Sequence, residues 1–186
     1  MHIKADDIIT TQIPFSLNYL GSDDIRFVVG ISQIEIGVDD GTYYYVAAPI
    51  VSNKWYFLAL TFDGTTLKGY LDGKLIGSIA ASFDFSTASG ALQIGKRVGS
   101  SLYFNGQASA PKIFNTALTA AQVSDLYLNP EKIVPDGVAN SALKLWLPMM
   151  EGAGTTAYDG SGNGNHGTIN GATWVSGIGA PVAQSA

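Results

Sequence analysis

The sequence predicts an all-β protein: a jelly-roll sandwich of two antiparallel sheets with one short surface helix. Three observations predict it. Charged residues make up only 13% of the chain, against about 25% in an average soluble domain. Glycine is frequent, at 22 residues. Short strand-like runs recur with Gly, Asn and Asp between them, the spacing of sandwiches rather than of strand-helix-strand units. At 186 residues the chain has the length of one domain with a sizeable core. With 46% apolar and 11% aromatic residues, it is far from the composition of a disordered segment.

Taken in order, Ile34, Ile36 and Val38 alternate with Gln33, Glu35 and Gly37. This period of two turns one face to a core and the other to water. Asp39, Asp40 and Gly41 then turn the chain into Thr42 to Ala48, because Asp and Gly accept the positive φ of a tight hairpin. Trp55 to Phe62 is apolar on both faces and reads as a central strand ending at Asp63-Gly64. Leu67 to Leu71 alternates up to a second turn at Asp72-Gly73, and Leu75 to Ala80 returns, completing a three-stranded meander. Further strands are expected at Ala91 to Gly95, Leu102 to Asn105, Pro111 to Phe114, Leu143 to Pro148 and His166 to Val175. The helix starts at Thr119, with Gln122 three residues on to form a capping box. Val123, Leu126 and Tyr127 form its apolar stripe, and Asn129-Pro130 ends it.

The net charge is −5, and Lys and Arg occur singly, so no basic stripe meets phosphates and nucleic acid is not an expected partner. Without cysteine there is no disulfide framework, thiolate nucleophile or cysteine zinc site. Met1 to Phe15 carries Lys4, Asp6 and Asp7 and lacks the apolar stretch of a secretory leader. The longest apolar run, Tyr43 to Val51, is broken by Pro49 and is far shorter than the ~20 residues of a membrane helix. The expectation is a protein without membrane insertion, found on a virion or outside the cell with no visible signal peptide.

The stretch from Trp55 to Gly64, followed by Leu67 to Gly73, resembles the central meander of laminin G-like domains in the concanavalin A-like lectin and glucanase superfamily. Leu92 to Gly95, Tyr103 to Gly106, Ile113 to Leu118 and the capped helix to Tyr127 resemble that family's later strands and closing helix, in order. The resemblance covers residues 31–128; residues 129–142 read as a connection. Residues 143–186 then resemble the family's opening segment, through Leu145 to Pro148, Glu151 to Asp159 and Ser161 to Gly167. Three arrangements fit this inverted order. The domain is circularly permuted, with these strands completing the sandwich; or they add to a neighbouring subunit; or they open a second, truncated domain. The segment also resembles stretches of phage tail-fibre and virion proteins.

Four constellations could carry chemistry. Gly162, Gly164 and Gly167 have dinucleotide-loop spacing, but Thr168-Ile169-Asn170-Gly171 cannot open the helix that would receive a pyrophosphate. Asp159, Ser161, Asn163 and Asn165 alternate around Gly164 as calcium ligands do, and the resemblance implies calcium, although Ser109 stands where the family usually has an acid. Glycoside hydrolysis needs two carboxylates at a set separation, whereas Glu35, Glu131 and Glu151 are isolated, and His2 and His166 are the sole histidines. A non-enzymatic role is therefore expected. Finally, Tyr43 and Tyr45 share one strand face beside Asp39 and Asp40, an arrangement that stacks sugar rings and takes their hydroxyls. Tyr103 and Asn105 join them from what the family layout makes a nearby loop, while Trp55, Tyr70 and Trp146 are assigned to the core.

The function expected is a structural or adhesion module on a phage particle, binding a cell-surface glycan through many copies of a weak site. Its partners would be virion subunits or further copies of itself. The alternatives are a carbohydrate-binding module of a secreted bacterial enzyme, or a structural protein with no ligand.

Overall fold

The computed structural model describes residues 1–18, 24–39, 41–81, 90–97 and 99–175. In chain order the strands are β1 (His2–Ala5), β2 (Gln12–Asn18), β3 (Asp24–Val29), β4 (Gln33–Asp39), β5 (Tyr43–Pro49), β6 (Trp55–Phe62), β7 (Thr66–Leu71), β8 (Lys74–Ala80), β9 (Leu92–Ile94), β10 (Gly106–Ser109) and β11 (Lys112–Phe114). Helix α1 (Ala120–Leu128) follows, then β12 (Leu143–Trp146), β13 (Thr156–Ala157) and β14 (Gly167–Thr168). Two five-stranded antiparallel sheets result, in the orders β10-β1-β6-β7-β8 and β5-β4-β3-β2-β9. This is the expected jelly-roll architecture.

The core lies between the sheets because the alternation of β4 and its neighbours is obeyed. Ile34, Ile36 and Val38 are buried, as are Phe15 and Phe27 from the same sheet and Ile3, Tyr56 and Leu58 from the facing one. The sheets approach closely where side chains are absent. A Cβ on Gly69 would lie 2.2 Å from Val46 Cγ2, and one on Gly77 would lie 2.9 Å from Val46 Cγ1. The Asp72-Gly73 turn takes left-handed φ at both residues, 49° and 74°, as a two-residue hairpin turn requires. The helix has the full capping box between Thr119 and Gln122. It buries Val123 and Leu126 against Phe57 and Tyr70 on the outer side of the first sheet.

Five expectations need correction. Strands β1, β2 and β3 occupy places in both sheets, where the permuted arrangement would have the short N-terminus leave the sandwich unfinished. Residues 143–175 enter neither five-stranded sheet; β12 pairs with β11, and β13 with β14. The permuted arrangement is thus not the one adopted, because the positions it would fill are already paired. Leu145, Leu147 and Ala157 instead pack with Leu92, Ile94 and Ile113 at the β9 side. The strand expected at 102–105 is a single bridge between Lys96 and Tyr103, and the one expected at 166–175 is the two-residue β14. Tyr70 is buried as assigned, but Trp55 and Trp146 are only half-buried.

Candidate functional site

The β4–β5 hairpin sets its aromatic residues by register. Asp39 faces Tyr43, Val38 faces Tyr44 and Gly37 faces Tyr45. Tyr44 therefore turns inward, against Val38 and Leu67, while Tyr43 and Tyr45 lie together on the outer face. Their rings stack at 4.9 Å between centroids and 20° between planes. Gly37 makes the stack sterically possible, since a Cβ there would lie 2.7 Å from Tyr45 Cβ and 2.9 Å from Tyr43 Cε2.

A residue that sequence reasoning missed completes this group. Arg26 on β3 faces Gly37 across the sheet, and its guanidinium lies 4.1 Å from the centroid of the Tyr43 ring. Asp39 holds it there by accepting from a terminal guanidinium nitrogen at 2.8 Å, while the other carboxylate oxygen accepts the Gly41 amide at 3.1 Å. The order is Arg26, Tyr43, Tyr45, a stack in which cation–π and ring–ring attraction each contribute on the order of 1 kcal/mol. Tyr43 is covered by its neighbours, and Tyr45, 43% exposed, presents the outer ring. Asp40 lies outside the described residues. The signal for Arg26 was the cross-strand register alone, which no local motif in β3 displays.

Tyr103 and Asn105 do not join this group. They follow β9, and β9 and β5 are the opposite edges of one sheet, roughly 19 Å apart at four strand spacings. The Asn105 amide is also occupied: its side chain donates to Asp7 at 2.8 Å and its backbone N–H to Gln12 at 2.9 Å. Tyr103 stays 62% exposed, with Lys96 Nζ 5.3 Å from its ring centroid.

The loop expected to hold calcium is assembled, but around the protein itself. Asp159 is only 8% exposed. One of its oxygens accepts from the backbone of Trp146 at 3.0 Å and of Ser161 at 2.9 Å; the other accepts from Ser161 Oγ at 2.8 Å and Asn165 N at 2.9 Å. Burial pushes its pKa up, yet these hydrogen bonds outweigh it and hold the group down to about 2. Asn163 and Asn165 send their amide nitrogens to the Lys144 carbonyl at 3.3 and 2.9 Å. Ser161, Asn163 and Asn165 thus brace the loop as side-chain-to-backbone turns do. With both oxygens of its single carboxylate saturated, this set does not fit a calcium ion. His166 accepts the Asp159 amide at Nδ1, 2.9 Å away, which leaves the proton of a neutral ring on Nε2.

Between the β9 and β10 edges and residues 143–175 runs a cleft of about 1010 Å³. Trp55, Tyr103 and Trp174 line it together with Gln93, Lys96 and Gln107. The amide oxygens of Gln93 and Gln107 are buried and meet no hydrogen-bond donor. The isolated acids stay apart: Glu35 on β4 binds Gln33, Glu151 after β12 binds the Tyr158 amide, and Glu131 lies beyond α1. Among the described residues no cluster of three or more His, Asp or Glu could hold a metal, and no helix is long and apolar enough to cross a membrane.

Comparison with known proteins agrees with this architecture. A laminin G family model, described as the Concanavalin A-like lectin/glucanases superfamily, matches residues 5–124, more than half of the chain. A search of curated proteins found no match. Among solved structures, the chain is similar to a candidate carbohydrate-binding protein from Bacteroides ovatus ATCC 8483, with a TM-score of 0.66 and 21% identity over 91% of this chain and 52% of that one. It is also similar to the native heptameric SAP-like pentraxin of Limulus polyphemus, with a TM-score of 0.54 and 21% identity over 68% of this chain and 66% of that one. The chain thus spans about half of the first relative and under two thirds of the second, and at this identity the likeness is one of fold.

Proposed function

The chain belongs to the Concanavalin A-like lectin/glucanases superfamily, and from that premise we propose that it is a non-catalytic carbohydrate-binding module. The observation that carries this reading is the Arg26–Tyr43–Tyr45 stack on the outer face of the second sheet. Sugar rings offer C–H faces to aromatic planes, and a binding platform is strongest when it needs no ordering on contact. Tyr45 is such a platform, held flat by Tyr43 beneath it and by Arg26 beneath that. The Arg26 charge is paired with Asp39, so a neutral sugar ring is the ligand class proposed for this face.

The isolation of Glu35, Glu131 and Glu151 on separate elements supports a binding role over hydrolysis, which needs two carboxylates either ~5.5 Å or ~6.5–9.5 Å apart. The fold shared with the Bacteroides ovatus protein, itself a carbohydrate-binding candidate, points the same way. A single open platform gives a weak contact, and display in many copies, as on a phage particle or beside a secreted enzyme's catalytic domain, would make it effective. A glycan array tests the module, with neutral oligosaccharides as the expected hits; an array without any carbohydrate bound would overturn the proposal. Sedimentation tests display: self-assembly supports a particle component, whereas a strict monomer supports an enzyme appendage.

A further inference from the structure

We propose that the cleft between the β9–β10 edges and the C-terminal segment is a second saccharide site, and that it takes an anionic sugar. The sugar ring lies on Tyr103, and its carboxylate or sulfate meets Lys96. The proposal rests on the carbohydrate reading of the chain but not on the Tyr45 platform, which is at the opposite edge of the sheet.

Charge is the first argument. The protein carries 15 acidic and 10 basic side chains, yet among the described residues lining the cleft there is no Asp or Glu, whereas Lys96 and Lys144 are present. A cleft lined by one sign of charge concentrates ligands of the other. Lys144 is turned to the Ser141 carbonyl, 2.8 Å away. Lys96 is left without a carboxylate partner among the described residues, and its ammonium sits over one side of Tyr103. The contrast with Arg26 is direct: that cation is neutralised by Asp39, and this one is not.

Shape and hydrogen bonding supply the second argument. Tyr103 is largely exposed and keeps one ring face for C–H contacts. Trp174, another part of the wall, is fixed by its indole N–H donating to the Gly154 carbonyl at 2.8 Å. His166 offers an Nε2–H donor, since its Nδ1 is occupied by the Asp159 amide. Gln93 and Gln107 also line the cleft, with their amide oxygens buried behind its surface. The volume of about 1010 Å³ accommodates a short oligosaccharide, at the upper end of small-molecule sites.

Calorimetric titration of the full chain with oligogalacturonate, a heparin-derived hexasaccharide and a neutral galacto-oligosaccharide tests this. The acidic ligands should bind more tightly than the neutral one to this site and weaken with added salt; the better of the two identifies carboxylate or sulfate as the group recognised. Lys96→Met should weaken acidic binding about tenfold, Lys96→Arg should restore most of it, and Tyr103→Ala, at an exposed position, should cost about fivefold. Tyr45→Ala should leave acidic binding unchanged. Equal binding of acidic and neutral ligands by the Tyr45→Ala variant, or acidic binding untouched by Lys96→Met in a variant that melts normally, would overturn the proposal. Acidic binding lost only in Tyr45→Ala would overturn it while sparing the platform reading, and loss of all saccharide binding would sink both.

Discussion

The Tyr43–Tyr45 hairpin and the Asp159 loop contain the same kinds of residue that bind sugars and ions, yet they use them in opposite directions. In the hairpin, Asp39 and Arg26 neutralise each other and support an aromatic ring that faces outward. In the loop, the Asp159 carboxylate accepts four hydrogen bonds, from Trp146, Ser161 and Asn165, and has nothing left for a ligand. The lesson is that polar residue type does not mark a site; unfilled bonding capacity does. One region organises a surface for another molecule, and the other organises itself.

The largest expected effect breaks the self-organised region. Asp159→Ala leaves three backbone N–H groups without their acceptor and should destabilise the 143–175 segment by roughly 3 kcal/mol, read as earlier protease cleavage there and a change in tryptophan fluorescence. Glycan binding by Tyr45 should be retained. Gly37→Ala breaks the other region: its Cβ would lie 2.4 Å from the Tyr44 carbonyl oxygen. The ring stack must shift, at about 2 kcal/mol of stability, with loss of binding to the neutral sugar, measured by denaturant titration and calorimetry.

Acid sharpens the comparison because the groups that respond belong to the folded framework. Against the upward push of burial, hydrogen bonding holds the folded Asp159 pKa down to about 2, below its ordinary 3.8. Its stabilising contribution is complete above the ordinary value and is lost as pH falls from 3.8 to about 2. Burial of His2, and then neighbouring positive charge including Lys112, lowers its pKa from 6.5 to about 3. The unfolded chain takes up that proton first, so stability declines as pH falls from 6.5 toward 3. Melting temperature should therefore fall below neutral pH, and His2→Phe should remove the first part of the decline. The smallest effect expected is none: calcium or chelator should leave the melting temperature unchanged, and a calcium-dependent rise would show that the loop opens to bind the ion.

Much of this was legible in the sequence. The meander of β6, β7 and β8 followed from apolar runs stopped by Asp-Gly pairs, and α1 from the Thr119–Gln122 box, because both are local signals. The facing of Tyr43 and Tyr45 followed from a period of two. What was missed is non-local. Ile13, Phe15 and Leu17 of β2 do alternate, but Pro14 interrupts the pattern, and β1 is only four residues long. The family layout puts Tyr103 in a loop near Tyr45, and sequence order alone does not show that β5 and β9 are opposite edges of one sheet. Arg26 was invisible until the β3–β4–β5 register set it over Tyr43.

Parallel titration of the intact chain and its Tyr45→Ala and Tyr43→Ala variants with a neutral oligosaccharide identified on an array tests the central claim most directly. The account predicts about tenfold weaker binding without Tyr45 and a smaller loss without Tyr43, whose ring supports the platform from below. Full affinity in a folded Tyr45→Ala protein would contradict it.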